Sequence, residues 1–183
     1  MRTWRMLYDI AGNDRTDFTP FLYVAGAMLL LALLFQLRAH RRRQSSGSAK
    51  VIAVFATLIG GLGYGINTWD QQRLIGRLSG GDYLIAEGLI ANHQQWEQEL
   101  ARGKDGRRRY DRWEIVYVAG IAFIWSPGAQ EPAFTNAQQP PIDIRDGLPV
   151  RISYVEDVAG EAHQRRILRW EIAEPFGGQA AAP

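Results

Sequence analysis

The stretch Pro20-Phe-Leu-Tyr-Val-Ala-Gly-Ala-Met-Leu-Leu-Leu-Ala-Leu-Leu-Phe-Gln-Leu37 runs into Arg38-Ala-His-Arg-Arg-Arg-Gln-Ser-Ser-Gly-Ser-Ala-Lys50, then into Val51-Ile-Ala-Val-Phe-Ala-Thr-Leu-Ile-Gly-Gly-Leu-Gly-Tyr-Gly-Ile-Asn67. Two uncharged apolar runs enclose a basic turn, the pattern of a membrane hairpin. As a helix rising 1.5 Å per residue, the first run covers about 27 Å, enough to cross a hydrocarbon core. Asp17 and Thr19 before Pro20 make a helix opening, with a capping candidate followed by proline in the first turn. A cleaved signal peptide would need positive charge directly before the apolar stretch; here the arginine cluster follows it, which predicts an uncleaved anchor.

The second run is less apolar and carries Gly60, Gly61, Gly63 and Gly65. Gly61 and Gly65 form a Gly-x-x-x-Gly pair, a candidate packing face for the first helix or for a partner subunit. Tyr23, Tyr64 and Trp69 fit an interfacial aromatic belt. Arg38, Arg41, Arg42, Arg43 and Lys50 resist translocation and set the topology: the turn is expected in the cytoplasm and both termini across a bacterial inner membrane, in the periplasm. Arg2 and Arg5 on the N-terminal arm weigh the other way, but less, the cations counting five to three. Ser45, Ser46 and Ser48 read as flexible linker.

The sequence pI of about 9.1 invites a nucleic-acid reading until the charge is placed. Residues 38–50 hold five Lys/Arg and no acid, whereas residues 67–183 hold 13 Lys/Arg against 16 Asp/Glu. The basicity belongs to the turn. The absence of cysteine excludes disulfides, thiol nucleophiles and Cys-ligated zinc.

Beyond the hairpin, Trp69, Leu74, Ile75 and Leu78 recur at helical spacing before Gly80-Gly81, predicting a juxtamembrane linker helix over 68–81. The period then becomes two, and strands are predicted at 83–91, 112–119, 121–125, 149–155 and 165–172. Ala119-Gly120 reads as a tight turn or bulge, and Asp146-Gly147 as a turn into the fourth strand. Residues 94–101 look helix-compatible, and the proline-bearing segment 127–145 reads as an ordered loop. The expected fold is a membrane α-helical hairpin followed by a small mainly-β domain of about five antiparallel strands, a small barrel or OB/SH3-like sheet. Its segments are an N-terminal arm (1–19), the hairpin (20–67), the linker helix (68–81), the β domain (82–174) and a disordered tail (175–183).

Glu87-Gly-Leu-Ile-Ala-Asn92, the run Trp113 to Ser126, Asp146-Gly-Leu-Pro-Val-Arg-Ile-Ser-Tyr154 and Ile167-Leu-Arg-Trp-Glu-Ile172 resemble the C-terminal domain of small uncharacterised bacterial inner-membrane proteins with a two-helix anchor. The resemblance covers about residues 82–172 and implies a β domain without assigning a reaction. The polar insertion 93–111 departs from it.

Candidate chemistry is sparse. His40, His93 and His163 lack metal-ligand spacing and read as solvated surface residues. Glu87, Glu114 and Glu171 fall inside strands; alternation turns Glu87 and Glu114 outward, where cross-strand pairing with Arg112, Arg151 or Arg169 is the expectation. Lys104, Arg107, Arg108, Arg109 and Tyr110 form a basic, aromatic hairpin tip suited to lipid headgroups or a protein partner; the periplasmic placement argues against nucleic acid. No cofactor and no metal are expected. The inventory points to a non-enzymatic, membrane-anchored interaction module or accessory subunit, partnered by membrane lipid and by a membrane protein or a second copy; the alternative is a sensor whose β domain binds a peptide, glycan or lipid.

Overall fold

A computed structural model describes residues 3–12, 15–43, 47–99, 108, 110–158 and 160–174, with backbone only at 163. Two compact units emerge: residues 16–73, and a discontinuous unit of 1–15 with 74–183.

In the first unit, α1 (Thr19–Arg41) opens where Asp17 accepts both the backbone N–H and the hydroxyl of Thr19, at 2.9 and 2.8 Å, ahead of Pro20. These bonds hold the Asp17 carboxyl below its usual range. Arg38, His40 and Arg41 in the last turn suit the negative end of the helix dipole. α2 (Gly47–Leu58) continues into a π-helical segment, Ile59–Ile66, and then into α3 (Asn67–Ser79). The glycines sit in the wide π turn, and the Asn67 side chain donates to the Gly63 carbonyl at 2.6 Å. Both apolar helices are long enough to cross a membrane, and 11% of each apolar window is buried.

The second unit is an antiparallel sheet of six strands, β1 (Trp4–Asp9), β2 (Leu84–Glu99), β3 (Tyr110–Val118), β4 (Ile121–Trp125), β5 (Pro149–Glu156) and β6 (Arg165–Ala173), in the order β1-β6-β5-β2-β3-β4. It is open: β1 and β4 stand at opposite ends, so the barrel expectation is corrected. Five strands match the predicted ones. The sixth comes from the N-terminal arm, where Trp4 to Asp9 pair with Ala173 to Arg169 and Ile10 N–H donates to Leu168 O at 3.0 Å. The chain therefore leaves this sheet after its first strand and returns to it by way of α3.

The end of α3 supplies Leu74 and Leu78 to the sheet's core and stops at Gly80-Gly81, where Gly81 adopts φ +77° and Asp82 N–H reaches Arg77 O at 2.9 Å. Ala119-Gly120, both at positive φ, form the two-residue turn between β3 and β4. The core is aromatic, with Trp125 edge-on to Phe134 and Trp170 at 5.3 and 5.9 Å, and Phe123 edge-on to Tyr154 at 5.0 Å. Phe134 belongs to the 127–145 loop, which is irregular as expected and extends the edge of β6 through Phe134 N–H to Ile167 O.

Residues 94–99 are strand, which corrects the helix expectation. β2 bulges between Ala91 and Gln94, with Asn92 at φ +52°, and then runs beside β3 as a two-stranded arm from Gln95/Glu114 to Glu99/Tyr110.

Candidate functional site

Three features carry chemistry, all in the sheet unit. The first is at the bulge. His93 Nε2 lies 2.6 Å from Glu114 Oε1, and Gln95 Nε2 donates to the same oxygen at 3.2 Å. The Glu114 side chain is 3% exposed and that of His93 20%. Both are corrections, since alternation turned Glu114 outward and His93 read as a solvated residue. Trp113, Ile115 and Tyr117 are the more conspicuous set on β3, but the core-facing set is Glu114, Val116 and Val118. Left-handed Asn92 redirects the next residue, and Asp146 accepts the His93 backbone N–H at 2.9 Å, so the imidazole reaches in over the carboxylate. The Gln95 amide donates to this enclosed carboxyl group and the His93 ring nitrogen meets the same oxygen, an arrangement that orients the imidazole and locks the base of the arm.

The second feature is a cleft of about 160 Å³ lined by Trp113, Ile124, Trp125, Phe134, Arg165 and Arg166. Arg165 pairs with Glu156 at 2.7 Å and donates to Ala122 O at 2.9 Å on the outer edge of β4, while Arg166 pairs with Asp157 at 3.0 Å. The Arg165 guanidinium is the main reason the Glu156 carboxyl sits below its usual range. The indole N–H groups of Trp113 and Trp125 are buried without an acceptor among the described residues.

The third feature is the arm. Every residue from Gln94 to Glu99 is exposed, Trp96 at 41%. Trp96 faces Trp113 across the strands, Arg112 pairs with Glu97 at 3.2 Å, and Arg108 approaches Glu99 at 3.5 Å. Of the expected tip residues, Arg108 and Tyr110 are described and exposed; Lys104, Arg107 and Arg109 lie outside the described residues.

Glu87 is exposed and bound by Arg151 at 2.9 Å, as expected; Arg151 also faces Glu171 in register and sits under the Trp4 ring at 4.4 Å. This row of alternating charge covers the outer face of the sheet. Arg38, Arg41, Arg42, Arg43 and Lys50 are all exposed around the helical turn; Ser45 and Ser46 there, and the His163 side chain in the sheet unit, lie outside the described portion. α1 does not approach Gly61 or Gly65, around which a Cβ would meet nothing within 4 Å. Its contact is with Gly60, beside the Ala25 methyl, and with Gly63, on which the Phe21 ring rests. Of the two packing roles offered for Gly61 and Gly65, the one toward α1 falls to Gly60 and Gly63 instead. Among the described residues, no group of three or more His, Cys, Asp or Glu side chains is placed to hold a metal ion. No protein-family model, curated protein or solved structure matches the chain.

Proposed function

We propose that the chain is a two-span anchor of a bacterial inner membrane that presents its sheet to the periplasm as a non-enzymatic interaction module or accessory subunit. The pairing of β1 with β6 carries this reading. One strand precedes both apolar helices and its partner follows them, so a crossing by one helix would require a crossing by the other. Cleavage after α1 would strip the edge strand from its sheet, which speaks against a signal peptide. The apolar side chains of the helices, Leu30, Leu33, Leu34, Val51, Val54 and Phe55 among them, are exposed in the isolated chain. At about 25 cal/mol per Å² of apolar surface, hydrocarbon accepts them far better than water. The five cations of the turn favour the cytoplasm for that end.

An export-dependent reporter fused after Pro183 should be active and a cytosolic fluorescent reporter dark; the opposite pattern reverses the orientation. Extraction in mild detergent should recover a membrane-protein partner or a second copy, whereas a strictly monomeric, partnerless species removes the interaction role. The sensor reading rests on the Trp113–Arg166 cleft, whose volume of about 160 Å³ accepts one apolar side chain rather than a typical small-molecule ligand.

A further inference from the structure

Outside the sheet unit, the charge of the helical unit is one-sided. Residues 16–73 hold six Lys/Arg against two acids, and both acids are engaged: Asp17 accepts from Thr19, and Asp70 pairs with Arg73 at 2.8 Å. Between those acids, residues 18–69 contain no Asp or Glu, yet they hold Arg38, Arg41, Arg42, Arg43 and Lys50, all exposed. Nearly the whole of α1, about 30 Å of helix, separates Asp17 from Arg38. The helical unit therefore has no acid of its own within contact of the cluster.

Three of these arginines share one face. Arg38, Arg41 and the C-cap residue Arg42 stand at i, i+3 and i+4, and they line a single shallow cleft with Leu34 and Leu37, one turn below. Like charges at this spacing repel one another, which an anion between them would relieve. Leu34 and Leu37 are 56% and 51% exposed, so guanidinium groups and bare aliphatic side chains meet at one boundary. The end of the helix adds about half a negative charge against three full positive ones, so the cleft still favours anions.

We propose that this cleft is a headgroup site for an anionic phospholipid, with Arg38, Arg41 and Arg42 around the phosphodiester and Leu34 and Leu37 against the first methylenes of its acyl chains. The inference deepens the anchor reading and rests on it, because a spanning α1 brings its last apolar turn to the level where hydrocarbon gives way to headgroups. A guanidinium presents paired N–H donors that match two oxygens of one phosphate. The leucines decide the source of that phosphate. A free anion would satisfy the arginines but gain nothing from an apolar floor, whereas a lipid uses both halves of the cleft. Each cation contributes roughly fivefold to the preference for an anionic over a zwitterionic lipid.

The full chain is reconstituted in phosphatidylcholine vesicles with a trace of spin-labelled phosphatidylglycerol or spin-labelled phosphatidylcholine, and the motionally restricted fraction of each label is read by electron paramagnetic resonance. The phosphatidylglycerol label should be restricted severalfold more than the phosphatidylcholine label. Arg38→Gln, Arg41→Gln and Arg42→Gln together should remove most of that preference, whereas Arg43→Gln with Lys50→Gln, outside the cleft, should keep most of it. The two labels are compared on the unaltered chain, so the result does not depend on a variant folding. Both leaflets contain the same lipids, so it does not depend on orientation either. Equal restriction of the two labels, in protein that floats with the vesicles, overturns the site and leaves the anchor standing. Protein that fails to float overturns both. Equal losses per cation from the two sets of substitutions replace the site with diffuse attraction and overturn it. Loss of the preference on adding inorganic phosphate at constant ionic strength assigns the cleft to a free anion and overturns the lipid.

Discussion

The imidazole of His93 closes over the carboxylate of Glu114 at 2.6 Å, at the point where β2 bulges away from β3. Glu114 is buried, so its two partners, His93 and Gln95, decide what the site costs. His93→Ala leaves Gln95 alone on a buried carboxylate and should destabilise the sheet by about 1–3 kcal/mol in chemical unfolding followed in mild detergent. Glu114→Gln keeps a polar group of the same shape facing both partners and should cost less. Changing both residues together should cost less than the sum of the single losses, and strict additivity would show that the contact is not energetically coupled.

Ile10 tests the discontinuous sheet. It lies before both apolar helices, yet it is fully buried against strands that follow them. Ile10→Ala should lower the stability of the sheet by about 2–5 kcal/mol, measured by thermal or urea unfolding. A loss within a few tenths of a kcal/mol would mean that the first strand is not part of that core.

The glycines of the π-helical segment should separate in pairs. A methyl on Gly63 would enter the Phe21 ring, and one on Gly60 would crowd Ala25 at 3.2 Å. Gly63→Ala should therefore loosen the packing of α1, seen as weaker cross-linking between cysteines placed on the two segments. Gly61→Ala and Gly65→Ala meet open space and should be neutral or gain roughly 0.5–1 kcal/mol from the entropy glycine otherwise loses. Equal damage at all four positions would refute the assignment.

Glu156 gives an acid limb. Arg165, and then the Gly160 N–H, hold its carboxyl below the ordinary value of 4.5 in the folded chain. Such a group stabilises the fold above its unfolded pKa, and the stabilisation is lost as pH falls through the lower folded value. The melting temperatures of the parent and of Glu156→Gln should differ by a constant amount at neutral pH and converge in the acid range. A gap independent of pH would remove the pair from the acid limb.

The helical hairpin and five strands were legible because their periodicities have a physical source in burial. The first strand was not, because its register slips between Met6 and Tyr8 and Trp4-Arg-Met-Leu-Tyr-Asp9 never alternates cleanly. Strand beyond Asn92 was invisible for the opposite reason: with neither face buried, Gln94 to Glu99 have no cause to alternate, and their glutamines and glutamates favour helix locally. Glu114 was misplaced because the bulky Trp113, Ile115 and Tyr117 look like a core face, while the true one uses Val116 and Val118, buried in the same cluster as Phe123 and Tyr154. The His93 contact depends on one left-handed residue, Asn92, whose effect on the following side chain has no signature in a pattern of apolar and polar letters.

The placement of β1 has a consequence for how the molecule is made. Its residues are made before both apolar helices, but β6, the strand that receives them, is made after both. β1 therefore has no strand to pair with until elongation has passed β6, more than a hundred residues later, which ties closure of the sheet to synthesis of both intervening helices.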